Sequence, residues 1–175
     1  HRNTKYFYEI DPFIKINGLN EFKSLYIKIM EAELNIIYAS EMGNAIEVAE
    51  KAHAFAIQNN INCKIEEMNN VSMQDLQNMK RIAIVVSTAG EGDLPFMGEI
   101  FWSNLSKTSL DLKHISYSIC ALGDSSHEFF CEAGKKVDKR LQELGAKRLL
   151  DRCECDGDTE GSKTWYEEAI KVLSI

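Results

Sequence analysis

Residues 81–95 read RIAIVVSTAGEGDLP, a run of apolar side chains that ends in a loop with two glycines. Its first part, RIAIVVS, is almost free of polar alternation, which is typical of a central parallel strand with both faces covered. Gly90 and Gly92 are separated by one residue, and glycines allow the backbone to approach a flat ligand closely. The stretch therefore predicts a buried strand with a ligand-binding loop at its carboxyl end.

Short apolar runs and helical patterns alternate on both sides of this stretch. The predicted strands are 34–39, 63–67, 81–87, 115–122 and 147–150. The predicted helices lie near 46–57, 71–79, 100–105 and 131–144, and a closing helix follows. Ser72, with Asp75 three residues later, is predicted to cap the helix over 71–79, and Ser162 to cap the closing helix. Strict alternation of this kind predicts an α/β fold, a doubly wound five-stranded parallel sheet with helices on both faces. We assign residues 34–175 to this domain.

Residues 1–33 do not follow the alternation. An aromatic-rich run is broken at Gly18, and Leu19, Phe22, Tyr26 and Ile29 then share one helical face. We interpret the segment as an extension that packs on the domain or links it to an upstream module, and a helix that docks a partner is the alternative. Because the chain begins at His1, we expect it to be part of a longer protein.

Composition excludes several classes of protein. The 175 residues carry a net charge of −7, which argues against a nucleic-acid partner, since binding to phosphate backbones relies on clustered Lys and Arg. No apolar run is long enough to span a membrane, so we expect no membrane partner. The five cysteines show no CxxC or Cys/His ligand spacing, which predicts reduced thiols, a cytoplasmic protein and no metal site.

Three loops at strand ends are the candidate site, because ligands of doubly wound sheets bind outside the carboxyl ends of the strands. The loops begin at Ser40 (SEMGNA), Ser87 (STAGEGDLP) and Ala121 (ALGDSSHEFF). The first contains neither GxGxxG nor GK[ST], which gives little support to a dinucleotide fold and excludes a P-loop nucleotidase. A short polar loop that enters a helix can still hold a phosphate through backbone N–H groups and the helix dipole.

The blocks YASEMGNA, STAGEGDLP and ALGDSSHEFFCEAGKKVDKRLQELGAKRLLDR resemble the flavodoxin-like FMN domain of diflavin reductases over residues 34 to about 170. That family includes the sulfite reductase flavoprotein, cytochrome P450 reductase and the reductase half of pyruvate:NADP oxidoreductase. The resemblance implies a flavodoxin-like sheet of strand order 2-1-3-4-5 and a noncovalent FMN. It also implies an oxidoreductase that is not catalytically complete alone. Its partners would be an FAD/NADPH reductase module and a terminal redox acceptor, in the same polypeptide or complex, with FAD and NADPH bound outside this chain.

The resemblance also assigns cofactor-binding residues. The first loop would cradle the 5′-phosphate, and the second would line one edge of the isoalloxazine ring. The third would close the other side, with Asp156 near the ring. The residues implied are Ser40, Glu41, Met42, Gly43, Asn44, Ala45, Ser87, Thr88, Ala89, Gly90, Glu91, Gly92, Leu122, Gly123, Asp124, His127, Phe129, Phe130, Cys131 and Asp156. No side chain is expected to act as a catalytic acid, base or nucleophile, because the cofactor carries the redox chemistry.

Four positions depart from the family's pattern. Met42 replaces a hydroxyl residue and Glu41 replaces Gln in the phosphate loop, while Ala89 and His127 stand where ring-stacking aromatics are usual. These changes predict weaker retention of FMN than in typical relatives, with binding preserved. They also leave a second hypothesis open, a flavodoxin-fold module that has lost its flavin and serves a structural or docking role.

Overall fold

Strands and helices alternate along residues 34–175, the part of the chain that the computed structural model describes. The strands are β1 (Leu34–Ala39), β2 (Cys63–Glu67), β3 (Arg81–Ser87), β4 (Ser116–Gly123), β5 (Lys147–Arg148) and β6 (Cys153–Asp156). The helices are α1 (Asn44–Gln58), α2 (Met73–Asn78), α3 (Glu99–Leu105), α4 (Glu132–Glu143) and α5 (Ser162–Leu173). Short 3-10 turns lie at Met68–Asn70 and Phe96–Gly98. Our interpretation of residues 1–33 falls outside the described residues.

The strands form one parallel sheet of order β2-β1-β3-β4-β5, which confirms the predicted fold and strand order. The edge of the sheet next to β4 differs from the prediction. It holds β5, paired with the start of β4, and then β6, whose residues Cys153–Asp156 pair with Cys120–Gly123. The strand predicted over 147–150 is therefore present but shorter, at 147–148, and β6 was not predicted. Acidic residues alternate with the cysteines of β6, so the sequence there lacks the apolar run of a buried strand.

Both faces of the sheet are covered, as the apolar run of β3 predicts. Ile82, Ile84 and Val86 contribute to the core under α3 and α4, together with Phe101 and Leu141. Ala83 and Val85, on the opposite face, join the core under α1 and α5. Side chains alternate across a strand, so one uninterrupted apolar strand supplies both cores.

The helix caps test two sequence predictions. Ser72 and Asp75 form a capping box at the start of α2, as predicted, with the Asp75 N–H donating to Ser72 Oγ and the Ser72 N–H donating to Asp75 Oδ2. Ser162 does not cap α5, contrary to the prediction. The N-cap is Gly161, and Ser162 lies buried in the first turn, where its hydroxyl donates to the Thr159 carbonyl at 2.6 Å.

Trp165, on α5, belongs to the core. Its indole N–H donates to Ser118 Oγ at 2.8 Å, and this bond fixes α5 against the middle of β4. Within residues 34–175, no helix combines the length and the apolar composition that crossing a bilayer requires.

Candidate functional site

A cavity of about 500 Å³ opens at the carboxyl ends of β1, β3, β4 and β6. It is lined by Glu41, Met42, Asn44, Ser87, Thr88, Gly90, Leu122, Gly123, Asp124, His127, Phe129, Gly157 and Asp158. Its volume is within the range of about 300–1,000 Å³ that is typical of cofactor sites. All three loops chosen from the sequence meet at this cavity.

The loop after β1 is held by Ser40. This buried side chain accepts hydrogen bonds from the N–H groups of Gly43 at 3.0 Å and Ala45 at 3.2 Å. Gly43 has φ +97°, a left-handed conformation that glycine adopts without steric strain, and α1 begins at the next residue. The turn therefore places Asn44 and the positive end of a 15-residue helix at the cavity.

The loop after β3 is tied to the loop after β1 and to the first turn of α4. Ser87 Oγ accepts from the Glu41 N–H at 3.0 Å, and Thr88 Oγ1 accepts from the Ala133 N–H at 3.3 Å. Beyond Thr88 the chain makes a tight turn closed by the Asp93 N–H donating to the Ala89 carbonyl at 2.8 Å. Gly90 lies at the tip of this turn with φ +47° and faces the cavity. The contact of Ser87 therefore joins the first two loops, and that of Thr88 holds the start of α4 against the second.

The loop after β4 is closed by hydrogen bonds at its base. Gly123 leaves no room for a larger residue, since a Cβ there would lie 2.7 Å from the backbone nitrogen of Cys131. Asp156 lies beside this loop and accepts two hydrogen bonds from Ser125, from its N–H at 2.7 Å and its hydroxyl at 2.6 Å. Asp156 therefore positions the loop and does not itself line the cavity.

The charge of the cavity is negative. Glu41, Asp124 and Asp158 are exposed carboxylates in its lining, which we call the acidic rim, and no lysine or arginine of residues 34–175 is part of that lining. Hydrogen bonds from Ser126 lower the pKa of Asp124 below its usual range, so this carboxylate stays ionised at neutral pH. His127 Nε2 is 3.9 Å from Asp124 Oδ2, and its side chain is 78% exposed.

Eleven of the twenty residues assigned from the sequence line the cavity. The other nine are in its supporting layer or on the same loops, and they are Ser40, Gly43, Ala45, Ala89, Glu91, Gly92, Phe130, Cys131 and Asp156. Cys131 is fully buried, and its thiol donates a hydrogen bond to the carbonyl of Ala121 in β4.

Two cavity residues were not assigned from the sequence, Gly157 and Asp158. They follow β6, which was itself not predicted, and the Gly157 N–H donates to the Gly123 carbonyl at 2.8 Å. A Gly-Asp pair directly after a strand is the signal that could have identified them.

The residues present suit a ligand with a phosphate at one end and a flat ring system at the other. At the first loop, a helix N-terminus replaces the usual cation as the element that attracts an anion. Gly90, Leu122, Gly123, His127 and Phe129 surround the rest of the cavity and offer backbone, apolar and aromatic contacts. FMN has this division into a phosphate and a flat ring, so the site fits the cofactor implied by the resemblance.

Curated relatives over the described domain are flavoprotein subunits. The chain is 38% identical over 144 residues to the sulfite reductase [NADPH] flavoprotein alpha-component of Bacillus subtilis (strain 168). It is 34% identical over 142 residues to the same component of Salmonella paratyphi A. These matches cover 81% and 80% of this chain but 24% of each relative, so the chain spans about a quarter of their length.

Solved structures with the same fold are flavodoxins. A mutant flavodoxin from Pseudomonas aeruginosa superposes with a TM-score of 0.72 at 23% identity, over 81% of this chain and 99% of that one. Oxidised flavodoxin 2 from Bacillus cereus superposes with a TM-score of 0.66 at 27% identity, over 82% and 93%. Because the identity to the Pseudomonas aeruginosa protein is only 23%, that superposition shows a shared fold and nothing more.

A family model gives the assignment. The model described as Flavodoxin matches residues 36–169, which is most of the described chain and includes all three loops of the cavity. FMN is the cofactor that this match indicates, as the sequence predicted, and the redox role of flavoproteins comes with it. The chain belongs to the flavodoxin family.

Proposed function

We propose that this chain is the FMN-binding electron-transfer domain of a larger NADPH-dependent diflavin oxidoreductase. In that enzyme it relays electrons from an FAD/NADPH module to a terminal redox centre, of the sulfite reductase type or the pyruvate:NADP oxidoreductase type. The observation that carries the proposal is the cavity itself. It joins a helix N-terminus to a glycine-lined slot, and its acidic rim surrounds the opening.

The phosphate of FMN would be held at the loop after β1. Asn44 lines the cavity at the first residue of α1, where the first four backbone N–H groups of a helix have no partner within the helix. Ser40 keeps the turn in place through its two accepted hydrogen bonds. Glu41, in the same loop, opposes the phosphate by charge repulsion, which supports the predicted weak retention of FMN.

The ring of FMN would lie between the second and third loops. Gly90 has no side chain, so its peptide groups could contact the ring directly. His127 and Phe129 present aromatic side chains from the third loop. These contacts would orient the ring.

The acidic rim would set how readily the site accepts electrons. Bound FMN supplies one- and two-electron transfer, and the protein supplies orientation and electrostatics. Glu41, Asp124 and Asp158 disfavour any further negative charge in the cavity, which lowers the reduction potential of the site. The same carboxylates would attract a partner with a basic surface.

The proposal of a larger parent enzyme is supported by the relatives' names and lengths. Each is named a sulfite reductase [NADPH] flavoprotein alpha-component, and this chain corresponds to 24% of its length. We expect the FAD and NADPH sites in the remaining part of such a polypeptide. NADPH oxidation would then require that second module.

The test begins with the absorbance spectrum of the purified chain after addition of excess FMN and removal of unbound dye. We expect flavin bands at about one FMN per chain with quenched fluorescence. The matched variant is Asn44→Asp, which adds a carboxylate to the first turn of α1, where the helix dipole favours a negative charge. Its added charge repels the phosphate, so it should bind FMN at least tenfold more weakly while the circular dichroism spectrum stays unchanged.

The second stage tests the relay. The FMN-loaded chain is mixed with an FAD/NADPH reductase module from a relative, and flavin reduction by NADPH is followed by stopped flow. We expect reduction with the module and none without it. A chain that stays colourless in excess FMN would contradict the proposal and favour the docking module without flavin. A loaded chain that the module does not reduce would contradict only the relay.

A further inference from the structure

Three cysteine thiols meet beneath β4 and β6, outside the FMN cavity. Cys120 on β4 is directly opposite Cys153 on β6, and Cys155 is two residues further along the same strand. Because side chains alternate along a strand, all three point to the face covered by α5. We call Cys120, Cys153 and Cys155 the thiol cluster.

The distances within the thiol cluster are those of a metal site. The Sγ atom of Cys155 lies 3.8 Å from that of Cys120 and 3.7 Å from that of Cys153, and all three lie within 4.8 Å of one another. Thiolates bound at about 2.3 Å to one metal ion are about 3.8–4.0 Å apart in tetrahedral or trigonal geometry. A small rotation of one side chain would complete a three-sulfur site.

The thiol cluster lies largely out of solvent. Cys120 and Cys155 are buried, and Cys153 is half-buried at the edge of the cluster. Burying a charged group without a partner is costly, so three thiolates this close together need a cation between them.

The carboxylates of β6 do not occupy the cluster. Glu154 accepts from Arg152 at 2.7 Å and Asp156 accepts from Ser125, both through residues outside the thiol cluster. Among the described residues, the group able to ligate an ion at this place consists of the three cysteines alone. The set is therefore one of three soft sulfur donors.

We propose that Cys120, Cys153 and Cys155 bind one soft d¹⁰ metal ion, of the class of Zn²⁺, Cd²⁺ and Cu(I), through three thiolates. Thiolate sets select such ions over Mg²⁺ and Ca²⁺. Cys153, the accessible member, receives the ion first, and binding releases the thiol protons of the three cysteines to solvent. No electron is exchanged, so the site needs no oxidant or reductant.

The test uses the full chain, fully reduced, freed of metal and loaded with FMN. It is titrated anaerobically with Cd²⁺, whose thiolate complexes absorb in the ultraviolet, and bound metal is counted after dialysis. We expect one Cd²⁺ per chain with a micromolar or tighter Kd. Cys153→Ser should weaken binding at least 100-fold and remove most of the new absorption, and Cys120→Ser should do the same.

Cys63→Ser is the matched control, because Cys63 is a partly buried cysteine on β2, at the other edge of the sheet. It should bind Cd²⁺ as the unchanged chain does. Circular dichroism and FMN content establish that each variant is folded. The proposal is overturned if the folded chain takes up no Cd²⁺ at one equivalent, if Cys153→Ser binds as tightly as the unchanged chain, or if Cys63→Ser also loses binding.

Discussion

His127 presents an imidazole to the cavity from the loop after β4, with most of its side chain exposed. A tyrosine at this position would offer a larger aromatic face to the ring of FMN. Aromatic contacts of this kind contribute about 0.5–1.5 kcal/mol beyond buried area, which corresponds to roughly 2- to 12-fold in affinity. We therefore expect His127→Tyr to tighten FMN binding by that factor, as measured by fluorescence quenching.

His114→Tyr is the control for this change. His114 hydrogen-bonds to the Gln77 carbonyl at 2.8 Å and is not part of the cavity lining, so its substitution should leave the Kd for FMN unchanged. Equal affinity of His127→Tyr and the unchanged chain would show that position 127 does not contact the ring.

At the scale of single residues, sequence reasoning found the loops but not the role of every member. Thr88 and Gly90 line the cavity as expected, because a glycine-rich loop at a strand end is readable from the sequence. Ser40 and Asp156 act by holding loops in place, through contacts to Gly43, Ala45 and Ser125. Such contacts depend on how the loops pack together, and the order of residues along the chain does not reveal them.

At the scale of elements, α4 packs on β4 through Gly134. A Cβ at this position would lie 2.3 Å from the Cβ of Ala121, so the helix can approach the strand only with glycine there. In an ordinary helix Gly→Ala stabilises by about 0.5–1 kcal/mol. Here we expect Gly134→Ala to destabilise the fold by about 1–3 kcal/mol, since overpacking forces backbone shifts.

Chemical denaturation of the Gly134→Ala variant gives the measurement, and Lys139→Ala is the control. Lys139 is exposed on the same helix, so its substitution should change the free energy of unfolding by less than about 0.5 kcal/mol. An increase in stability for Gly134→Ala would contradict the close contact between α4 and β4.

The capping box of α2 makes stability depend on pH. Hydrogen bonds from the Ser72 side chain and then its backbone lower the pKa of Asp75 in the folded state. A lowered folded pKa adds stability above the unfolded pKa of about 3.9, and this contribution is lost as the pH falls through the folded pKa. Asp75→Asn should therefore be less stable than the unchanged chain at pH 6, with the difference closing below about pH 4.

Denaturant midpoints at several pH values test this expectation. Glu168→Gln removes an exposed carboxylate on α5 and serves as the control, with a midpoint close to that of the unchanged chain throughout the series. A gap between Asp75→Asn and the unchanged chain that stays constant down to pH 2 would show that the carboxylate is not the cause.

Among the elements, β6 shows where sequence reasoning fails. The period-2 pattern of Cys153-Glu154-Cys155-Asp156 is present, but cysteines between carboxylates resemble an acidic loop. The strand is positioned by its pairing with β4 and by the ion pair of Arg152 with Glu154 at 2.7 Å. Both the thiol cluster and the cavity residues after β6 depend on this pairing, so the sequence revealed neither.

At the scale of the whole molecule, the described domain holds its own core. β1 lies between β2 and β3, and the two apolar layers that cover the sheet are built from residues of 34–175. The cavity residues named above also belong to this part of the chain. We therefore propose residues 34–175 as the functional domain and residues 1–33 as an addition to it.

A pair of truncations tests this boundary. A chain that starts at Leu34 should fold, bind FMN with the affinity of the full chain within twofold, and show a similar denaturant midpoint. A chain that starts at Glu41 lacks β1 and with it the strand that joins β2 to β3, so it should not fold. Circular dichroism and FMN fluorescence measure both. If the chain that starts at Leu34 loses structure or FMN, the domain includes residues before Leu34, and the proposed boundary is wrong.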